Sequence, residues 1–165
     1  MFAPCGMNCK VCYKHCYNKK PCSGCLNSDK GKPEHCRKCK IRDCIKGKSL
    51  SYCFECAEYP CKLIKNLEKS YNKRYQASLI ENSRFVQGHG LEHFMEQQKI
   101  KYTCPKCGGI ISIHDKECSE CQEKWNNKIP VCQSHIGSTC PELLQLNTRR
   151  PHSGTPSRKS EKGLL

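Results

Sequence analysis

The chain has 165 residues, of which 36% are apolar only when its 18 cysteines are counted, and a formal charge of +14. That length suits one ordinary domain or two very small ones, and so little Leu, Ile, Val and Phe remains that staples must supply what a core cannot. No stretch approaches the ~20 apolar residues of a membrane-crossing helix, and the first ten residues hold no apolar run like a signal peptide's. A cytoplasmic protein with reduced thiols is therefore expected, rather than a secreted, disulfide-rich one.

Residues 1–61 read as a multi-cysteine metal-binding region. Twelve cysteines lie between Cys5 and Cys61. Cys9-x2-Cys12-x3-Cys16 follows Cys5, and Cys22-Ser-Gly-Cys25 comes next. Two near copies then follow, Cys36-Arg-Lys-Cys39-x4-Cys44 and Cys53-Phe-Glu-Cys56-x4-Cys61, offset by 17 residues. A C-x-x-C loop lets two thiolates converge on one ion from a tight turn, and four such pairs this close together point to metal sites. Sustained periodicity is absent, so loops, knuckle turns and one-turn helices are expected between the ligands.

Residues 62–100 read as helical. Leu63, Ile64, Leu67 and Tyr71 recur at helical spacing after Pro60. Leu79, Ile80 and Phe85 mark a second helix that stops at Gly88-His89-Gly90, and Leu91, Phe94 and Met95 a third. These stripes read as the small core packed on the knuckles. His89 and His93 are four apart, but Gly90 interrupts a helix through both, so they read as polar helix-start residues rather than metal ligands.

Residues 101–125 read as a zinc ribbon. Cys104-x2-Cys107-x10-Cys118-x2-Cys121 has the spacing of two knuckles clamping one ion at the end of a hairpin, with Ile110, Ile111 and Ile113 as its strand. Gly108 and Gly109 permit the amides after Cys107 to turn towards its sulfur, and Trp125 is placed as a packing residue over the site. Residues 126–165 form an extension. Cys132, His135 and Cys140 lack a fourth ligand and stay unassigned, and the tail from about 147 is expected to be disordered. The fold class is thus a small metal-stapled α+β protein: an irregular cysteine-knuckle N-terminal region, short helices and a C-terminal zinc-ribbon hairpin.

Sixteen of the 18 cysteines fall into these two clusters, which makes four sets of four and about four Zn2+. Pairing knuckles groups Cys9, Cys12, Cys22 and Cys25, then Cys36, Cys39, Cys53 and Cys56, leaving Cys5, Cys16, Cys44 and Cys61. Interleaved groupings fit the spacings equally well. Each loaded four-thiolate site carries −2, so four of them reduce the +14 to about +6. Arg149, Arg150, Arg158, Lys159 and Lys162 of the tail hold most of that remainder. Nucleic acid is therefore expected to bind only weakly, through the tail.

The opening Pro4-Cys5-Gly6-Met7-Asn8-Cys9-x2-Cys12, the pair Cys22-Ser-Gly-Cys25, the unit from Cys36 to Cys44 and the ending Cys56-Ala-Glu58-Tyr59-Pro60-Cys61-x-Leu63 resemble the small cysteine-rich prokaryotic family termed domain of unknown function 3795. The resemblance spans about residues 3–67, and the helices and ribbon resemble longer members to about residue 123. It implies a bacterial or archaeal cytosolic protein and supplies no activity.

Three classes of function compete. A zinc-stapled binding or interaction module without catalysis, with a protein partner, fits closed four-thiolate sites best. An iron–sulfur cluster in the N-terminal region, for electron transfer or redox sensing, is the alternative, although the ferredoxin run C-x2-C-x2-C-x3-C is absent. Cys5-x3-Cys9-x2-Cys12 has the spacing of radical enzymes that use S-adenosylmethionine, but Val11 replaces the aromatic before the last cysteine. The alternating strand–helix pattern of a partial barrel is missing as well. No Ser/His/Asp set, paired carboxylates or phosphate loop stands out, so the chain reads as non-catalytic.

Overall fold

The computed structural model describes residues 1–17 and 19–125. Cys132, His135, Cys140 and the basic tail lie outside the described residues. The N-terminal region is built as its composition demands, from turns between cysteines. Phe2 bridges Asn8, and the Ala3 amide donates to the Met7 carbonyl at 2.8 Å. Asn8 then caps a 3-10 turn, Cys9–Val11, by accepting from the Lys10 amide at 3.0 Å. Short helices follow: α1 (Tyr13–Cys16), α2 (Glu34–Arg37) and α3 (Lys40–Gly47). A second 3-10 turn, Cys53–Glu55, is tied by the Glu55 carboxylate, which accepts from the Ser51 and Tyr52 amides.

Three longer helices come next: α4 (Lys62–Tyr75), α5 (Leu79–His89) and α6 (Leu91–Lys101). Ile64 is buried and Leu67, Tyr71 and Tyr75 are half-buried along one face of α4, whereas Leu63 is 37% exposed. Leu63 is one position, about 100°, away from Ile64, so it leaves the stripe expected to include it. α4 also holds the start of α5. The Glu68 carboxylate accepts from the Ser78 hydroxyl at 2.5 Å and from the Leu79 and Ile80 amides at 2.7 and 3.2 Å, and those two amides are donors that a helix N-terminus leaves unpaired. α5 ends where its glycines predict, at Gly90 with φ of 85°.

The expected ribbon hairpin differs. Among the described residues there are isolated bridges and no strand: Thr103 with Ile110, Ile111 with Cys118, and Glu117 with Lys124. The chain doubles back three times between Tyr102 and Trp125, and each pairing is one residue long because a knuckle or turn bends the backbone directly after it. The Gly108 amide turns back to the Cys104 carbonyl at 2.8 Å, and the Gln122 amide to the Cys118 carbonyl at 3.1 Å. The molecule is thus mostly helical rather than α+β in its described part.

Two cores hold these pieces. One joins Ala3, Met7 and Val11 of the opening, Leu79 of α5, and Tyr102, Cys104, Ile111, Ile113 and Cys118 of the ribbon segment. The Ile113 amide seals it by donating to the Val11 carbonyl at 2.9 Å. The other is Ile45 of α3, Cys53 and Ile64 of α4. Gly6 lets the opening loop approach α5. Its φ is 93°, and a Cβ there would lie 2.2 Å from the Leu79 carbonyl oxygen and 2.7 Å from Ser83 Oγ. The Leu79 oxygen is backbone and cannot step aside. Gly6→Ala is therefore expected to destabilise the fold by roughly 1–3 kcal/mol through overpacking and positive-φ strain. Denaturant unfolding of holoprotein checks this, and an unchanged midpoint would refute the close approach.

Candidate metal centre

Four sulfurs meet at the ribbon. The ligand atoms of Cys104, Cys107, Cys118 and Cys121 all lie within 4.8 Å of one another. Cys104 Sγ is 3.8 Å from Cys121 Sγ, and Cys107 Sγ is 3.5 Å from Cys118 Sγ. Local sequence produces this convergence. Gly108 takes φ of 78°, which bends the chain back after Cys107. Gly109 must pass beside the site, since a Cβ there would sit 2.8 Å from Cys118 Sγ and 2.6 Å from Glu120 Cγ. Cys121 accepts the Glu123 amide, which lowers its pKa, but burial and the thiols of Cys107, Cys118 and Cys104 outweigh this and push it up to about 12. Cys104 and Cys118 are buried while Cys107 is exposed, so the site is rooted in the core and opens to solvent on one side. Trp125 packs against that same core, as expected.

The donor set fits a metal ion. A Zn–S bond of about 2.3 Å in a tetrahedron sets sulfurs roughly 3.8 Å apart, close to the two S···S distances here. Two irons or more, bridged by sulfide, would hold their cysteine sulfurs further apart. Zinc bound here would be fixed by four thiolates and would act as a structural clamp.

All twelve N-terminal cysteines are free thiols, as are the four of the ribbon. Among the described residues, the ribbon set is the one group of three or more His, Cys, Asp or Glu whose ligand atoms lie within 4.8 Å of one another. The N-terminal sulfurs nonetheless sit as neighbours: Cys9 and Cys12 act on each other and with Cys22 and Cys25, members of the first expected set, while Cys36 has Cys25, Cys12 and Cys22 beside it as well as Cys39. Burial raises the pKa of Cys36 to about 11, helped by nearby Cys25, Cys12, Cys22 and Cys39. Burial raises Cys53 to about 12, helped by Cys61, Cys44, Cys39 and Cys56. Burial and then Cys25 push Cys5 up, and burial followed by Cys12 takes Cys16 to about 12. Cys9 and Cys25 share a hydrogen bond that raises the first and lowers the second. Cys5, Cys12 and Cys56 accept the amides of Met7, Lys14 and Glu58, two residues on. Cys121 accepts from Glu123 in the same way, so the knuckle turn recurs outside the ribbon.

Composition alone did not reveal the buried cations beside these thiols. Lys32 has a side chain only 1% exposed, and its ammonium donates to the Cys25 and Asn27 carbonyls at 3.0 and 2.7 Å and to Asp29 at 3.1 Å. Arg42 reaches the same Asp29 carboxylate at 2.7 Å and also bonds Asp43 and the Arg37 carbonyl. With Cys9, both cations lower the pKa of Cys25. Positive charge next to sulfur favours thiolate, the form that binds metal. A lysine so fully withdrawn has no signal in a single sequence, where it reads as one more surface charge.

His89 and His93 are exposed and lie against Phe85, with ring centroids 4.4 and 5.6 Å away. His93 lies in the first turn of α6, as a helix-start residue, whereas His89 is the last residue of α5.

The crowding at Gly109 can be tested. Gly109→Ala drives a methyl group towards Cys118 Sγ, so it is expected to cost the holoprotein about one equivalent of metal. Elemental analysis of the purified variant checks this, and full retention would show that the sulfurs need no such clearance.

No curated protein and no solved structure matches the chain. One family model does, described as Protein of unknown function (DUF3795), and it covers residues 1–66. The match includes all twelve N-terminal cysteines and ends inside α4, in agreement with the resemblance carried by the C-G-x-x-C opening and the E-Y-P-C-x-L ending. Residues 1–66 of this chain are a DUF3795 domain.

Proposed function

We propose that this protein is a zinc-stapled, non-catalytic binding module that works in the cytoplasm with a protein partner. The observation that carries the reading is the convergence of Cys104, Cys107, Cys118 and Cys121 within 4.8 Å. Four thiolates complete the tetrahedron of a zinc ion and leave no position for a substrate. The twelve N-terminal thiols, with their knuckle amides and buried cations, extend the same chemistry to about three further ions. Among the described residues, no helix is long and apolar enough to cross a membrane.

Of the four lysines that could form a nucleic-acid face around the ribbon, Lys101, Lys106, Lys116 and the exposed Lys124, the first three make contacts within the chain. Lys101 lies over the Tyr102 ring at 5.4 Å, Lys106 pairs with Glu123 at 2.6 Å, and Lys116 donates to Gln76 at 2.9 Å. A loaded site also removes positive charge from the surroundings of the ribbon.

Protein purified without oxygen is expected to be colourless and to hold about four zinc ions per chain. Brown protein with iron and acid-labile sulfide would replace this reading with an electron-transfer or redox-sensing one. Cys107→Ser removes an exposed ligand without opening the core, so it is expected to lose about one equivalent and keep the rest. Loss of all metal would mean that the sites do not load separately. A chain ending at Lys128 should bind mixed duplex and single-stranded probes with Kd no tighter than about 1 µM near physiological salt. The full chain should bind weakly and without sequence preference, with affinity falling steeply as salt rises. Submicromolar binding by the shortened chain would make nucleic-acid recognition the primary function.

A further inference from the structure

Resting on the reading as a binding module with a protein partner, we propose that the groove between α4 and α5, edged by a row of unpaired lysines, docks an acidic amphipathic segment of that partner. Carboxylates of the segment lie along Lys62, Lys65, Lys69 and Lys73, and an apolar side chain enters the groove over Ile80.

Spacing along α4 builds the row. Lysines at 62, 65, 69 and 73 fall within roughly 80° of one another around a helix, opposite Ile64, Leu67 and Tyr71. All four are exposed. The row extends about 16 Å along the helix axis. Lys62, Lys65 and Lys69 line an open groove of about 590 Å³ together with Asn66, Glu68 and Ile80 of α5.

Nothing among the described residues balances this charge. None of their ion pairs, hydrogen bonds or ring contacts involves the side chain of any of the four lysines. Elsewhere the chain does pair such charges, as where Lys38 meets Glu34 one turn away at 2.7 Å. The one acid of α4, Glu68, is engaged by the start of α5. The placement also works against the helix. Lys65 and Lys69, and Lys69 and Lys73, are like charges four apart, which repel. Lys62 is the first residue of α4, at the positive end of the helix dipole, with no acid in the first turn. Each arrangement costs stability and concentrates positive potential on one face, which suits a polyanionic ligand.

The lining selects among polyanions. It holds no aromatic residue and no arginine, so it offers a base no stacking face and a phosphate no bidentate fork. Carboxylates beside an apolar side chain match lysines around Ile80. The chain's own tail, from Asn147 to Leu165, has five basic residues against Glu161 and carries the wrong sign to cover the row.

Calorimetric titration of the full, metal-loaded chain near physiological salt tests the surface. The probe is a synthetic helical peptide of about 15 residues, with glutamates repeating at i, i+3, i+7 and i+11 and leucines flanking them. It is expected to bind. Lys65→Glu with Lys69→Glu should weaken binding at least about tenfold, with metal content and far-ultraviolet circular dichroism unchanged. Lys65→Gln with Lys69→Gln, which adds no new charge to the helix, should weaken it in the same direction and serves if the reversed pair misfolds. Lys99→Glu, on α6 and outside the groove lining, should change affinity less than about twofold. Serine in place of the peptide's leucines should weaken binding too. No binding, unchanged binding by both lysine pairs, or an equal loss with Lys99→Glu overturns the proposal. Tighter, row-dependent binding of duplex DNA or of phosphatidylserine vesicles overturns it as well. A chain that holds no metal would defeat the metal-stapled reading itself, whereas about four ions without peptide binding defeats only this docking surface.

Discussion

Sulfur charge governs this molecule. Thiolates gathered into a small volume repel one another, and burial raises the cost of ionising each. Cys5, Cys36 and Cys53 show that pressure directly, since all are pushed towards the neutral thiol by burial and by their neighbours. Positive charge must compensate. A dication bound at a four-cysteine site would supply most of it, and the protein adds Lys32, Arg42 and Lys48 beside the sulfurs. The hydrophobic contribution is modest by comparison, with two cores made largely of single residues from many short elements. A metal ion bound by Cys104, Cys107, Cys118 and Cys121 would couple to folding, because Cys104 and Cys118 also belong to the larger core.

The ribbon and the helices were the legible parts of the sequence, for local reasons. Cys104 to Cys121 needs only two knuckles and the loop between them, so spacing along the chain is nearly spacing in space. The end of α5 follows from Gly90, which takes the positive φ that a helix stop favours. The helical stripe after Pro60 was read one residue too wide. Leu63 is apolar but turns outward, and apolar identity alone does not fix a helix face.

The N-terminal cysteines were legible as ligand candidates but not as groups. Cys53 has Cys61, Cys44, Cys39 and Cys56 as sulfur neighbours, from both copies of the repeat, a relation set by tertiary contacts that C-x-x-C spacing does not encode. The missing strands have a similar origin. Ile110, Ile111 and Ile113 have strand composition, but turns on either side cut each pairing to one residue. Propensity gave way to the tight turns that position sulfur.

The core that unites Val11 with Ile113 bears on where this protein can be divided. The family match stops at residue 66, but Ala3, Met7 and Val11 rest on Leu79, Tyr102, Ile111 and Ile113, all beyond it. Gly6 is shaped by the Leu79 carbonyl, and the Asn82 amide donates to the Gly6 carbonyl at 3.0 Å. The edge of sequence similarity is therefore not an edge of the folding unit. A chain cut after residue 66 would lose Leu79, Tyr102, Ile111 and Ile113 and lay Ala3, Met7 and Val11 open to water.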